Sequence, residues 1–172
     1  MIIEPISERQ QAQVREATLA CLHRAGELFR IELQPLPVSF DLSGRAAGMY
    51  RSGRGGRAIR YNPYLFAKYF DANLGITVPH EVAHYVTDRL YGLRNIRPHG
   101  VEWQTVMQAL GAEPRATARY DLEGIPVRRQ RRFSYRCDCN TYQLSSARHN
   151  RIRRGQASYH CRACGTALVA AE

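Results

Sequence analysis

The chain has 172 residues, 44% of them hydrophobic, and a formal net charge of +10. That length suits one ordinary domain plus a small appended module, and the apolar content excludes wholesale disorder. No apolar run approaches the ~20 residues of a membrane span, and the start, MIIEPISERQ, lacks the basic n-region of a signal peptide, so a cytoplasmic location is expected.

Residues 8–30 read as an amphipathic helix. Val14, Thr18, Cys21, Leu22, Ala25, Leu28 and Phe29 recur at helical spacing, Ser7 with Gln10 forms a capping box, and Pro35 and Pro37 end the run. Cys21 lies on the apolar stripe and is assigned to the core. Between Val38 and Tyr61 the pattern changes to short alternating segments around glycine-rich turns, which predicts a sheet of about three short strands. SGRGGR (52–57) lacks the lysine of a phosphate loop and reads as a hairpin turn. Asn62-Pro63 is a helix start, with Asn as cap and Pro at the first helical position. A further helical segment is expected from about Gly75 to Tyr91, with Pro79 tolerated near its beginning and a later start suiting it equally well. Another is expected over residues 99–110, with Trp103, Val106, Met107 and Leu110 on one face and Gly111 as its stop. Residues 112–132 are polar and broken by proline, and read as a connection. The predicted domains are therefore 1–124 and 125–172.

The segment expected to be helical around Pro79 contains His80-Glu81-Val82-Ala83-His84. Positions i and i+4 are neighbours on a helix, so both imidazoles can grip one metal ion from one side. Glu81 leaves the axis about 100° from His80 and can reach a water beside the metal without being a ligand. Its assigned role is that of a general base, accepting a proton during attack on a carbonyl. A catalytic zinc needs a third protein ligand. The metzincin pattern fails, because Thr87 and Leu90 stand where it requires glycine and histidine. In RPHGVEW (97–103) both His99 and Glu102 remain open as the third ligand. Asp88 is read as an exposed helix acid in preference to a group supporting the site.

The charge is unevenly placed. Residues 125–172 hold ten Arg and two acids, whereas residues 1–124 hold 15 Arg and Lys against 13 acids. Such clustering favours a polyanionic partner, most simply nucleic acid, over a merely solvated face. Four of the five cysteines fall in the same part, as Cys137-x-Cys139 and Cys161-x-x-Cys164, with Gly165 easing the second turn. Paired knuckles of this kind read as a closed, structural Zn2+ site with no open position. His149 or His160 is a weaker substitute for one sulfur. Between the knuckles, RHNRIRRG (148–155) is expected to be a basic hairpin that puts Arg148, Arg151, Arg153 and Arg154 against phosphates. Tyr135, Tyr142 and Tyr159 either stack on bases or fill the small core.

VPHEVAH (78–84), RPHGVEW (97–103), YRCDC (135–139), RHNRIRRG (148–155) and YHCRACG (159–165) occur together in the order found in the SprT family, the bacterial relatives of the Spartan protease, which this chain closely resembles. The resemblance implies an α+β fold, with a small gluzincin-like metalloprotease domain followed by a zinc ribbon. It also implies His80, His84 and His99 as ligands of a catalytic zinc, and Glu81 as the general base. The implied activity is cleavage of proteins crosslinked to DNA, with DNA binding directing the protease. Relatives carry a histidine a few residues after the C-x-C pair, where this chain has Tyr142; a four-cysteine set makes that histidine dispensable. The rival expectation is a non-catalytic nucleic-acid-binding or regulatory zinc protein with a silent HExxH site. An intact Glu81 argues against it.

Overall fold

A computed structural model describes residues 2–117, 119–126 and 131–171. The chain separates into two compact units, Met1–Val127 and Arg128–Glu172. The first opens with α1 (Glu8–Phe29), whose Ser7 side chain accepts the Gln10 N–H while Gln10 reaches back to the Ser7 N–H. The helix ends at Arg30, which adopts the left-handed conformation at φ 50°, while the Ile31 N–H returns to the Gly26 carbonyl. It is thus closed by its own cap, well before Pro35. Cys21 packs against the core, and burial pushes its thiol up to about 11.

Three strands follow: β1 (Val38–Ser39), β2 (Gly48–Gly53) and β3 (Gly56–Tyr61). Their spatial order is β1-β3-β2, with β1 parallel and β2 antiparallel to β3. Gly53 pairs with Gly56, so Arg54-Gly55 is the two-residue turn of the β2–β3 hairpin. β2 is left at the sheet edge.

Asn62, fully buried, caps α2 (Pro63–Lys68) by accepting the Tyr64 and Leu65 N–H groups. Its amide nitrogen donates to the Gly44 and Ala46 carbonyls, so one side chain ties the preceding loop to the helix start. α3 runs from Phe70 to Tyr91, starting five residues earlier than the sequence pattern suggests. Pro79 therefore stands inside the helix, where it removes the hydrogen bond to the Gly75 carbonyl. A proline there costs about 3 kcal/mol in an isolated helix. Gly75 is exposed, so water can satisfy the freed carbonyl, and Pro79 itself is buried. The buried Asn73 donates to the Leu65 carbonyl and accepts from Thr77 and Tyr120. This network fixes the extra N-terminal turns.

α4 (Val101–Ala109) packs on α3 and buries Trp103, Val106 and Met107, which share one core with Val78, Val82 and Val86 of α3, Val14 and Leu22 of α1, and Ile59 and Tyr61 of β3. The first unit continues past residue 124. Ile125 is buried beside Ala47 and Leu65, the Ile3 N–H donates to the Gly124 carbonyl, and Lys68 pairs with Asp121 at 2.7 Å. The segment expected as a bare connection therefore packs onto the domain through these residues.

The second unit contains β4 (Arg132–Arg136), β5 (Thr141–Ser145), α5 (Ser146–Arg153) and β6 (Val169–Ala170), with sheet order β5-β4-β6. The expected basic hairpin over 148–155 is instead this helix, capped by Ser145 and closed by Gly155 at φ 66°. Tyr135, Leu144 and Cys161 are its buried hydrophobic residues among those described. Helices with small sheets in both units make the chain α+β. No described helix is long and apolar enough to cross a membrane.

Replacing Asn62 with Ala removes the α2 cap and strands two loop carbonyls. The expected loss is about 3 kcal/mol of unfolding free energy, read from urea denaturation.

Candidate metal centre and active site

α3 presents His80 and His84 one turn apart, and α4 is preceded by the turn that carries His99. His99 lies outside the helix expected to contain it, in the left-handed region at φ 59°. A non-glycine residue there is strained by roughly 1–2 kcal/mol, so surrounding contacts must hold it. Gln104 donates to its carbonyl at 3.1 Å, and the Gly100 N–H closes a turn to Arg97. The strained turn aims the imidazole back at α3.

The three Nε2 atoms form a nearly equilateral triangle with sides of 3.3, 3.1 and 3.1 Å. Tetrahedral coordination with metal–nitrogen bonds of ~2.0–2.1 Å requires nitrogens about 3.3 Å apart. The donor set fits a metal ion such as zinc. Burial, with the neighbouring imidazoles, lowers the His80 pKa to about 4 and the His84 pKa to about 3, and burial lowers that of His99. All three rings are thus neutral near pH 7, the state that coordinates metal. A hydrogen bond to the Arg115 backbone opposes the shift at His80. Below the cluster, the Trp103 indole contacts all three rings edge-on or tilted, at centroid distances of 4.7–5.7 Å. Its N–H donates to the His80 carbonyl at 3.3 Å. Glu102, the other candidate ligand, is outside this cluster.

Glu81 is 4% exposed. Its Oε2 accepts the Tyr50 backbone N–H of β2 at 2.6 Å. Gly48, two residues earlier, lies directly over the carboxylate: a Cβ there would stand 2.5 Å from Oε1 and 2.8 Å from the Thr77 methyl. Glycine is required by this close approach. Burial raises the Glu81 pKa to about 8 against the opposing pull of the Tyr50 N–H. The result is a buried carboxyl group, its pKa raised, beside the three converging imidazoles. Two hollows share Gly48, His80 and Glu81. One of about 210 Å³ is also lined by Arg45, Thr77 and Tyr120, and one of about 380 Å³ by Tyr50, Ile96 and Trp103.

Asp88 is not an exposed acid. Its side chain is 7% exposed and accepts hydrogen bonds from the Tyr50 hydroxyl and from Arg57, each at 2.6 Å. The sequence reading also missed Gly48 and Tyr50. A glycine within a strand run is a known mark of close backbone approach, and was the available signal for Gly48. Nothing local marks Tyr50, whose backbone, not its side chain, meets Glu81.

In the second unit Cys137, Cys139, Cys161 and Cys164 bring their sulfurs within 4.8 Å of one another, with neighbouring pairs at 3.5 and 3.6 Å. The first knuckle is the loop of the β4–β5 hairpin, closed by Cys137 N–H to the Asn140 carbonyl. The second is turned by Gly165 at φ 73°. The Tyr142 hydroxyl is hydrogen-bonded with Cys161 Sγ at 3.0 Å, and this contact leads the lowering of the thiol pKa to about 5. Four converging thiols are compatible with a tetrahedral zinc site. His149 stacks on Phe133 at 3.6 Å and meets the Tyr135 hydroxyl, so it is committed elsewhere. His160 bridges Ala167 and is absent from the sulfur cluster. Tyr135 is core, Tyr142 serves a cysteine, and Tyr159 lies under the Arg148 guanidinium at 5.6 Å. Arg148, Arg151, Arg153 and Arg154 are all exposed on or just after α5.

The family model described as SprT-like matches residues 18–130. The chain belongs to the SprT-like family. It is 38% identical to Protein SprT of Vibrio atlanticus over 160 residues, covering 93% of each chain. Protein SprT of Vibrio parahaemolyticus is 36% identical over 88% of each. Protein SprT of an Enterobacter species is 42% identical over 113 residues, 65% of this chain and 66% of that one. No solved structure is significantly similar to this SprT-like chain.

The Glu81 environment predicts a pH effect in the metal-free protein. The folded pKa of about 8 exceeds the ordinary value of 4.5, so the contribution to stability is full below 4.5 and lost as pH rises through 8. Metal-free wild type should therefore lose stability relative to Glu81→Gln between pH 4.5 and 8, measured by urea denaturation at each pH.

Proposed function

We propose that this SprT-like protein is a cytoplasmic zinc metallopeptidase acting on proteins bound or crosslinked to DNA, with a gluzincin-like domain carrying the chemistry and a basic zinc ribbon contributing DNA binding. The observation that carries the reading is the buried Glu81 carboxylate beside three converging imidazoles. A site that merely held metal for stability would gain nothing from burying a carboxylate there.

His80, His84 and His99 would hold the ion. Zinc, when bound, supplies Lewis acidity, lowering the pKa of a water and polarising a carbonyl. Glu81 takes the proton of the attacking water and returns it to the leaving amine. Gly48 and the Tyr50 N–H keep that carboxylate buried and aimed. The free edge of β2 offers backbone groups to an extended peptide passing over the two hollows. Cys137, Cys139, Cys161 and Cys164 would hold the second zinc, which closes its own shell and orders the surroundings of α5. Its exposed arginines and the Arg131–Phe133–His149 stack suit phosphates and bases.

Glu81→Gln decides between a peptidase and a silent, nucleic-acid-binding protein. The variant should keep two zinc ions per chain and wild-type DNA affinity while losing cleavage of a DNA-crosslinked protein by at least about a hundredfold. Equal cleavage by both forms would overturn the catalytic assignment. DNA affinity should fall steeply with salt. Replacing Arg151 and Arg153 by Ala should reduce the slope of log K against log salt by roughly two if each contacts one duplex phosphate.

A further inference from the structure

Tyr50 reaches α3 at two points. Its backbone N–H donates to Glu81 Oε2 and its hydroxyl donates to Asp88 Oδ2, both at 2.6 Å. Glu81 and Asp88 are seven residues apart, close to two helical turns, so they lie one above the other on the same face. The covalent length of one tyrosine therefore spans the distance between them. Its ring lies against Tyr85, between those turns, with centroids 5.8 Å apart. Arg57 adds a third tie. It sits on β3 opposite Ser52, across the hairpin from β2, and its Nε donates to the same Asp88 oxygen.

These contacts matter because β2 is an edge strand. β3 holds one side of it, and no strand among the described residues pairs with the other. On that open side the Tyr50 amide meets Glu81. Small rotations of an edge strand are cheap, whereas a hydrogen bond of 2.6 Å tolerates little displacement. Asp88 removes this freedom, since two donors from the two strands of one hairpin converge on a single buried oxygen. It is not one of the clustered imidazole donors and lines neither of the hollows beside Glu81.

We propose that Asp88 and Tyr50 are positioning residues for Glu81: the Asp88–Tyr50 hydroxyl contact fixes β2 so that the Tyr50 amide holds the carboxylate in its working orientation. The assignment rests on the catalytic reading above. Asp88 acts through Tyr50 and β2, and neither side chain exchanges a proton with substrate.

Tyr50→Phe, Asp88→Ala and the double variant test the assignment, with Asp88→Asn as the conservative change that retains an acceptor of the same shape. Each is assayed in the zinc-loaded full chain for kcat, KM, zinc content and amide hydrogen exchange. Tyr50→Phe and Asp88→Ala should each lower kcat about tenfold or more, with KM within about twofold and two zincs retained. The double variant should be no worse than either single one, because the two groups act as one unit. Asp88→Asn should restore most of the rate. The amide at position 50 should exchange about tenfold faster in Tyr50→Phe and Asp88→Ala, while that of Ile59 in β3 stays unchanged. Unaltered exchange at position 50, multiplying losses in the double variant, or a loss carried by KM would overturn the positioning role. The Glu81→Gln control separates the two failures. If wild type and Glu81→Gln cleave equally, the catalytic reading falls and takes this role with it. If Glu81→Gln is inactive but exchange at position 50 does not respond to Asp88, the positioning role alone falls.

Discussion

The first unit is organised around the cost of burying one carboxylate. A carboxylate removed from water must find hydrogen-bond donors or give up its charge. Glu81 is granted a single backbone N–H, and its pKa moves up accordingly. Much of the local structure serves that arrangement. β2 must come close enough for the Tyr50 amide to bond, which requires glycine at position 48. α3 must pass directly beneath the strand, and its Val78, Val82 and Val86 ridge, packed on α1 and α4, holds it there.

The neighbouring imidazoles are subject to a related constraint. Three ring nitrogens stand within 3.3 Å of one another, and in tautomers whose lone pairs all point inward they repel unless a cation lies between them. The fold keeps them there by rigid means on both sides. Two sit on successive turns of a long helix. The third is forced inward by a left-handed backbone and supported by Trp103, whose ring touches all three. Such preorganisation lowers the cost of assembling a metal site, since the donors need not be ordered when the ion arrives.

What could be read from the residue order follows the range of the interactions involved. The Ser7–Gln10 box, the Asn62-Pro63 start, the i and i+4 histidines and the two cysteine knuckles are governed by neighbours within a few positions, and each was legible. His99 and Glu102 were not separable by spacing, because the difference lies in a φ angle that only the folded turn reveals. The early start of α3 was hidden because Pro79 suggested an N-terminus. The Asn73–Thr77–Tyr120 network that supports the extra turns joins residues 47 positions apart. Asp88 looked like a surface acid because its two donors come from a hairpin 31 and 38 residues earlier. α5 was mistaken for a hairpin because a helix with only Ile152 as an aliphatic anchor shows no apolar period, although Ser145 and Gly155 marked both of its ends.

The thin interior of the second unit has a consequence of its own. Among the described residues of this unit, Tyr135, Leu144 and Cys161 are the buried hydrophobics, a small core against the entropy of ordering a segment of this size. An ion held by the four converging sulfurs would supplement that core, because binding free energy at such a site is also folding free energy. The exposed arginines of α5 would then depend on that ion for a defined surface. For such a unit, losing the ion would loosen the basic surface together with the knuckles.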